Sequence, residues 1–394
     1  MTEIHYPQSW SDLPPELAGL VLRRLPSHMD RVRFGAACSH WHFTRQQHGL
    51  TQPLPWLAFP DGTFFGLPHT KGIHEFFNLP NSASYHISCG DWLVFSHEGT
   101  CLLMDPFSKV TLTLPDLSFL CPMDEPAEII NVGVIIEEEM PDAVLNKDTE
   151  ISLCKVTVCS ELLVAAIVDI GTLHTVALCR PGSASWFVSE LGLKRSINDM
   201  IFFKGKLYVI DELEDLLAIE IEEDHDNGKL RVSRIECLFE GSSPTIWLIK
   251  GGVSNIDEYL VESHGKLLRV RRTFFGELFD NEMTSTTIKP VGAHFEVWAA
   301  DFQLRRWVEV MSVGDDQALF LGKSCSRSLS VSQYKLKGNY VFFLDDGTCD
   351  WFWKDSPSRC AGYDMRDENV VFIPLLTGSS KDLNMTTAWI FPRC

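Results

Sequence analysis

A short sequence unit recurs along most of the chain, and it constrains the fold more than any other feature. In each copy a glycine with a polar neighbour leads into an apolar run rich in β-branched and aromatic residues, which indicates a turn followed by a buried strand. Similar units at a spacing of about 45 residues are typical of β-propeller blades, each of which is a four-stranded sheet. The copies are Gly90-Asp-Trp-Leu-Val-Phe95, Gly205-Lys-Leu-Tyr-Val-Ile-Asp211, Gly265-Lys-Leu-Leu-Arg-Val270 and Gly338-Asn-Tyr-Val-Phe-Phe-Leu-Asp345.

Further apolar runs, split by Gly, Asp, Asn and Pro, predict additional strands from Asp61 onward. At the repeat spacing, this part of the chain is long enough for about six to eight blades. Because the repeat is degenerate, a pair of β-sandwiches remains an alternative. The additional predicted strands are Thr100–Met104, Val110–Leu114, Leu162–Val168, Thr175–Leu178, Leu216–Ile221, Tyr259–Glu262, Phe295–Phe302, Ala318–Leu321 and Val370–Ile373.

A strong helical signal lies only between Ser9 and His48. Ser11 or Asp12 is expected to cap a first helix that Pro14 or Pro15 opens. Pro26 is expected to end it, a second helix to begin after Ser27, and a third short segment to carry Trp41 and Phe43. The apolar residues at helical spacing in the first helix are Leu17, Leu20, Val21 and Leu25.

The sequence therefore predicts a multidomain α+β protein with a small three-helix unit at residues 9–48. A Pro-rich, fairly rigid connector follows at 49–60, and a large all-β, propeller-like domain at 61–394. Three short helices cannot bury much surface alone, so the helical unit is expected to lean on a partner or on its neighbour.

Charge and composition narrow the class of function. The net charge of −19 argues against a nucleic-acid binder, because phosphate backbones are held by clustered Lys and Arg. Residues 1–45 carry five arginines against four acidic residues, so this segment suits an acidic partner. The first residues lack a signal-peptide pattern and no apolar run is long enough to span a membrane, so an intracellular protein with reduced, buried cysteines is expected.

No enzyme motif is found: the chain lacks a phosphate-cradling Gly loop, a G-x-S-x-G elbow and an H-E-x-x-H pair. One group of candidate metal ligands does not have the usual zinc spacing, and its cysteine fits the core of the helical unit better. We therefore predict no metal, no cofactor and no catalytic residue. The candidate metal ligands with the unusual spacing are Cys38, His40, His42 and His48.

The N-terminal segment resembles an F-box, with its motif residues in order and at the expected separations over about a tenth of the chain. One departure is His40 before Trp41, where many members carry a basic residue. The matching residues are Asp12-Leu-Pro-Pro-Glu-Leu17, Leu20, Leu22, Leu25-Pro26, Asp30-Arg-Val-Arg33, Ala37-Cys38 and Trp41.

The remainder resembles the kelch-like C-terminal domain of uncharacterised function found in many plant F-box proteins. The resemblance spans most of the chain through fragments that are individually less specific. They are Leu54-Pro-Trp-Leu57, Asp61-Gly-Thr-Phe64, Gly90-Asp-Trp-Leu93, Asp105-Pro-Phe107 and Gly338-Asn-Tyr-Val-Phe-Phe-Leu-Asp345.

This resemblance implies the substrate-recognition subunit of an SCF-type (Skp-cullin-F-box) ubiquitin ligase. The F-box would bind a Skp-type adaptor and, through it, cullin, while the propeller would bind a protein substrate for ubiquitination and degradation in the nucleus or cytoplasm. Two alternatives stay open: an adaptor-bound scaffold without ligase activity, and a propeller enzyme that binds a small molecule.

The resemblance also implies which residues contact the adaptor. Glu16 and the arginines are expected to set the register of the complex. Ala37 and Cys38 are assigned mainly to the internal core, and for Trp41 internal packing and adaptor contact are equally weighted. The adaptor-binding residues implied are Leu13, Pro14, Glu16, Leu17, Leu20, Leu25, Val32, Arg33 and Trp41.

Overall fold

The computed structural model places three short helices before a ring of six β-sheets in the part of the chain that it describes. None of the described helices is long and apolar enough to cross a membrane. The described residues are 9–25, 28–47, 52–59, 63–67, 74–75, 84–97, 100–106, 109–122, 128–132, 151–160, 163–170, 173–188, 196–223, 230–241, 252–281, 285–334, 336–347, 349–354, 356, 358–373 and 387–392.

The N-terminal helices are α1 (Pro15–Arg23), α2 (His28–Ala37) and α3 (Ser39–Gln47). A 3₁₀ turn precedes them, capped by Ser9 in a reciprocal capping box with Asp12. The prediction that proline opens α1 is confirmed, because Pro15 is its first residue. The prediction that Ser11 or Asp12 caps α1 is wrong, because Pro14 occupies the N-cap without a side-chain bond. Pro26 lies outside the described residues.

Thirteen strands precede residue 190 in the described ranges. They are β1 (Trp56–Ala58), β2 (Thr63–Gly66), β3 (His74–Glu75), β4 (Ser84–Cys89), β5 (Trp92–His97), β6 (Thr100–Met104), β7 (Thr111–Leu114), β8 (Leu120–Pro122), β9 (Glu128–Ile130), β10 (Ile151–Ser160), β11 (Leu163–Ile170), β12 (Leu173–Cys179) and β13 (Trp186–Val188).

The later strands include the longest ones, β19 and β20, and a short helix, α4 (Asp350–Trp353), lies among them. The strands are β14 (Ile197–Phe203), β15 (Lys206–Asp211), β16 (Leu216–Glu223), β17 (Leu230–Phe239), β18 (Gly252–Ser263), β19 (Lys266–Asn281), β20 (Ser285–Asp301), β21 (Arg306–Glu309), β22 (Gln317–Leu321), β23 (Arg327–Ser330), β24 (Tyr340–Leu344), β25 (Cys360–Asp364), β26 (Val370–Phe372) and β27 (Ala388–Ile390).

The six sheets are the blades of a β-propeller. From the innermost strand outward, blade 1 is β27-β1-β2-β3, blade 2 is β4-β5-β6-β7 and blade 3 is β10-β11-β12-β13-β8. Blade 4 is β14-β15-β16-β17-β9, blade 5 is β18-β19-β20-β21 and blade 6 is β23-β22-β24-β25-β26. The strands β27, β4, β10, β14, β18 and β23 follow one another around the centre. The propeller prediction is confirmed and the β-sandwich alternative is excluded.

Blade 1 closes the ring by pairing the two ends of the propeller sequence. β27 runs antiparallel to β1, with Trp56 opposite Ile390 and Ala58 opposite Ala388. Trp389, between them, is fully buried and donates its indole Nε1–H to the carbonyl of Leu321 in blade 6 at 2.9 Å. β1 and β27 therefore form the inner part of blade 1, and β27 joins this blade to blade 6. β1 lies within residues 49–60, where the sequence suggested a connector.

A second long-range feature covers the outer edges of blades 3 and 4. β8 pairs in parallel with β13, and β9 pairs in parallel with β17, although both come from the segment between blades 2 and 3. Unpaired edge strands are prone to intermolecular pairing. Here β8 and β9 form hydrogen bonds with the outer edges of β13 and β17.

The Gly-plus-polar turns predicted from the repeat are confirmed at two hairpins. Lys204 and Gly205 join β14 to β15 with φ of 47° and 82°, and His264 and Gly265 join β18 to β19 with φ of 50° and 71°. Positive φ at both central residues is the type I′ geometry, whose twist matches that of paired strands. Glycine takes this conformation without strain, which explains its position in the repeat.

Candidate functional site

Helix α1 is apolar on two sides, and only one side is buried. Ala18 and Leu22 are fully buried and pack against Phe34 of α2. Leu17, Leu20 and Val21 lie on the other side and are 48%, 49% and 40% exposed. Because they are three and four residues apart, they form one continuous strip, which we call the α1 strip. A strip of large apolar side chains in water is typical of a surface that a partner covers.

The structure separates the predicted adaptor-binding residues into two groups. The exposed ones can meet a partner directly, whereas the half-buried ones mainly support the helices. The exposed group is Pro14, Glu16, Leu17, Leu20 and Arg33, and the half-buried group is Leu13, Leu25, Val32 and Trp41.

Packing within the helical unit accounts for the half-buried Trp41. Its ring stacks on Phe34 with centroids 4.4 Å apart, and its backbone N–H donates to the Cys38 sulfur at 3.4 Å. Cys38 is half-buried at the start of α3, whereas Ala37 is exposed, so the assignment of Ala37 to the core was wrong. His40 bonds through Nε2 to the carbonyl of Leu13 at 2.9 Å, which ties α3 to the residue before α1.

The predicted set of adaptor-binding residues leaves out three exposed apolar residues. Val21 completes the α1 strip, Phe43 of α3 is 57% exposed, and Trp10 of the 3₁₀ turn is 74% exposed. A signal for Val21 was present, since α1 has more large apolar residues than one buried side requires.

A buried arginine joins the helical unit to the propeller. Arg31 of α2 donates through Nε to the carbonyl of Leu25 at 3.0 Å and through Nη2 to the hydroxyl of Tyr334 at 3.3 Å. The Tyr334 hydroxyl in turn donates to the carbonyl of Gln52 at 2.8 Å. The expectation that the arginines all set adaptor register is therefore wrong for Arg31, which faces the propeller and fixes the orientation of the helices.

Replacing Tyr334 by phenylalanine is expected to loosen this junction. The change removes both bonds of the hydroxyl and leaves a buried charge short of a partner, at a cost of about 1–3 kcal/mol. Hydrogen exchange should then speed up at the backbone amides of α2 and leave the blades unaffected. Tyr340→Phe is the matched control, because no hydrogen bond of its hydroxyl is found among the described residues. Equal protection of α2 in both variants would contradict the role of Tyr334.

The centre of the ring contains a cavity of about 730 Å³. Its size is in the range of small-molecule sites. Its wall carries both signs of charge, with Asp91 and Glu262 opposed by Lys204 and Arg327, and it includes the small polar run Ser324–Ser328. Such a wall can accommodate polar groups but shows no convergence on one chemistry.

Asp199 and Cys89 are two titratable groups of the central strands, of which only Cys89 lines this cavity. Asp199 of β14 accepts from the ammonium of Lys155 in β10, from the backbone of Leu260 in β18 at 2.7 Å and from the backbone of Met200 at 2.8 Å. It thus joins three neighbouring central strands, and burial raises its pKa despite Lys155. Burial also raises the pKa of Cys89 to about 12, so its thiol stays protonated at neutral pH and is a poor nucleophile.

Blades 4 and 5 are joined by buried ion pairs. Arg269 makes two hydrogen bonds to Glu258, at 2.9 and 2.8 Å, and contacts Glu214 at 2.6 Å. Arg271 bonds to Glu258 at 2.7 Å and to Glu214. Glu214 belongs to the β15–β16 turn of blade 4, and both arginines to β19 of blade 5. These charges satisfy one another, so they stabilise a blade junction.

The fold and its exposed strip define a two-part class of protein: a small helical unit with an uncovered apolar surface, fixed to a closed β-propeller. Comparison with known proteins identifies the family. Residues 64–372 match the model of the KIB1-4 beta-propeller, and the chain belongs to this family.

Relatives that align with most of the chain are found in Arabidopsis thaliana. The chain is 22% identical to F-box protein At2g26160 in an alignment of 355 positions that covers 86% of this chain and 96% of that protein. It is 21% identical to F-box protein At2g17690, over 85% of this chain and 91% of the relative. It is 23% identical to F-box protein SKIP23, over 85% and 83%. The resemblance to plant F-box proteins is thus confirmed, while the kelch-like character of the blades stays a prediction.

Proposed function

We propose that the chain is the substrate-recognition subunit of an SCF-type ubiquitin ligase. In this proposal the helices of residues 9–48 bind a Skp-type adaptor, which brings cullin, and the propeller binds a protein substrate for ubiquitination. The chain acts in the nucleus or cytoplasm and supplies no catalytic group, because ubiquitin transfer is carried out by its ligase partners.

The α1 strip is the observation that carries the proposal. Leu17, Leu20 and Val21 remain in water although each would gain free energy on burial, about 1.5–3 kcal/mol for a side chain that goes from exposed to covered. The rigid junction at Arg31 supports it further, since a receptor must hold its substrate at a defined position relative to the adaptor. The naming of the relatives as F-box proteins supports this proposal.

Leu17→Ala together with Leu20→Ala is expected to weaken adaptor binding about 100-fold. Central interface side chains commonly contribute more than 1 kcal/mol each, and about 1.4 kcal/mol corresponds to a factor of ten. Alanine preserves the helix, so the variant should fold normally. The measurement is the affinity of the full chain for a purified Skp-type adaptor, by calorimetry.

The matched control is Leu278→Ala with Leu304→Ala, two exposed leucines of the propeller. These should leave adaptor affinity unchanged. Retention of adaptor by the α1 variant would show that the strip is not the docking surface. Recruitment should then be tested with adaptor and cullin together: binding of the adaptor without cullin would replace the receptor proposal with an adaptor-bound scaffold.

A further inference from the structure

Three potential metal ligands from neighbouring strands of blade 3 lie close together. They are Cys154 of β10, Asp169 of β11 and His174 of β12, and their Sγ, carboxylate and imidazole atoms all lie within 4.8 Å of one another. Asp169 and His174 are directly opposite in the antiparallel ladder, with Nε2 of His174 3.8 Å from Oδ2 of Asp169. Adjacent strands of one rigid sheet thus hold all three groups.

A β-bulge places Cys154 in this cluster. Leu153 pairs with Val168 and Lys155 with Ile167, so Cys154 is an extra residue without a partner in the ladder. Such a bulge changes the direction of a side chain relative to its neighbours, and bulges are frequent beside functional sites. The backbone therefore departs from a regular strand at the residue whose sulfur joins the cluster.

The groups around His174 and Asp169 leave one ligand atom of each available. Ser196 lies 3.3 Å from Nδ1 of His174, so this nitrogen is engaged and Nε2 is left on the side of Asp169. A hydrogen bond to the second ring nitrogen is the usual way to orient a metal-bound histidine. Oδ1 of Asp169 is buried and has no hydrogen-bond partner among the described residues, which is a costly arrangement for a carboxylate oxygen.

We propose that Cys154, Asp169 and His174 form a Zn²⁺ site. One sulfur, one nitrogen and one oxygen ligand are the donor set that zinc accepts, at distances of about 2.0–2.3 Å. A tetrahedral ion with such bonds separates its ligand atoms by about 3.3–3.7 Å. The 3.8 Å gap between His174 and Asp169 is therefore nearly right, and small side-chain rotations bring in the thiol. Zn²⁺ binding displaces the thiol proton, so affinity should fall as the pH is lowered.

Three protein ligands leave the fourth position of a tetrahedral ion open. Cys154 and His174 also line a cavity of about 140 Å³, which continues past Ser196 to Asp257 of blade 5 and Lys323 of blade 6. The open position can hold a water molecule or a donor atom from a bound molecule. This goes beyond the proposed receptor function and does not depend on adaptor binding.

The test is metal titration of the full chain after chelator treatment, with Zn²⁺ followed by calorimetry and Co²⁺ by absorption. We expect one tightly bound equivalent and a near-ultraviolet thiolate-to-cobalt band. Both should be lost in Cys154→Ser and in His174→Ala. Ser196→Ala, which removes only the partner of His174, should weaken Zn²⁺ binding about tenfold.

The matched control is Cys159→Ser, another half-buried cysteine of β10. It should keep both the stoichiometry and the cobalt band, and circular dichroism should show that every variant remains folded. If Cys154→Ser fails to fold, the site is tested with the other variants: Zn²⁺ binding should be lost in Asp169→Asn and weakened in Ser196→Ala. No tight equivalent in the wild type, or an unchanged band without the Cys154 thiol or the Asp169 carboxylate, overturns the site.

Discussion

A chain that ends after Thr386 is expected not to form a stable propeller. The truncation removes β27, which is the innermost strand of blade 1. It also removes the hydrogen bond from Trp389 to blade 6. The side chains of Trp389, Ile390 and Phe391 are fully buried. Truncating even one such side chain to alanine costs about 2–5 kcal/mol, whereas a whole domain is stable by only about 5–15 kcal/mol. Loss of the strand should therefore exceed the stability of the ring.

The expected observation is an insoluble or molten product that lacks a cooperative thermal transition. A chain that ends after Pro392 is the matched control, because it lacks only the last two residues and keeps β27 intact. It should unfold at the temperature of the full chain. A cooperative, soluble propeller from the shorter chain would mean that the other five blades close without this strand.

Arg272→Met is expected to lower the free energy of unfolding by about 3–5 kcal/mol, because a buried ion pair loses one partner. The guanidinium is fully buried and donates to Asp257 at 2.8 Å, to Asp346 at 2.9 Å and to the carbonyl of Leu344 at 3.0 Å. It therefore connects β18 and β19 of blade 5 with the end of β24 in blade 6. Methionine fills part of the volume but removes the guanidinium from both carboxylates.

Urea unfolding followed by tryptophan fluorescence measures this loss. Arg305→Met is the matched control, because Arg305 pairs with Glu236 at 2.7 Å but is half exposed. Exposed ion pairs contribute about 0–1 kcal/mol, so its unfolding midpoint should hardly move. Equal effects of the two substitutions would show that Asp257 and Asp346 find new partners when Arg272 is absent.

Local elements were the predictable part of this fold. The strand Thr100–Met104 was predicted at its observed bounds, and proline at the start of α1 was predicted from its fixed φ. The short helix α4 was missed. Its Phe352 and Trp353 pack into the core beside Phe274, with the two phenylalanine rings stacked at 4.1 Å, so tertiary packing stabilises it more than its own four residues could.

The adaptor-binding residues stay a prediction, and the structure adds where their side chains lie. Leu17 and Leu20 are exposed as a partner surface requires, but Arg31, with the same charge as Arg33 two residues later, is buried against Tyr334. Sequence spacing indicates which residues share a side of a helix. It does not indicate which side meets the propeller, because that depends on a residue about 300 positions away.

The sequence by itself determined the local conformation: proline at the start of α1, apolar runs for the strands, and glycine where a hairpin needs positive φ. Only the tertiary structure decided which strands become neighbours. It closed the ring with β27 beside β1, carried β8 and β9 to the edges of blades 3 and 4, and brought Cys154, Asp169 and His174 together. The physical reason is that conformational preference acts between adjacent residues, whereas strand pairing and burial depend on all surfaces that compete for the same place.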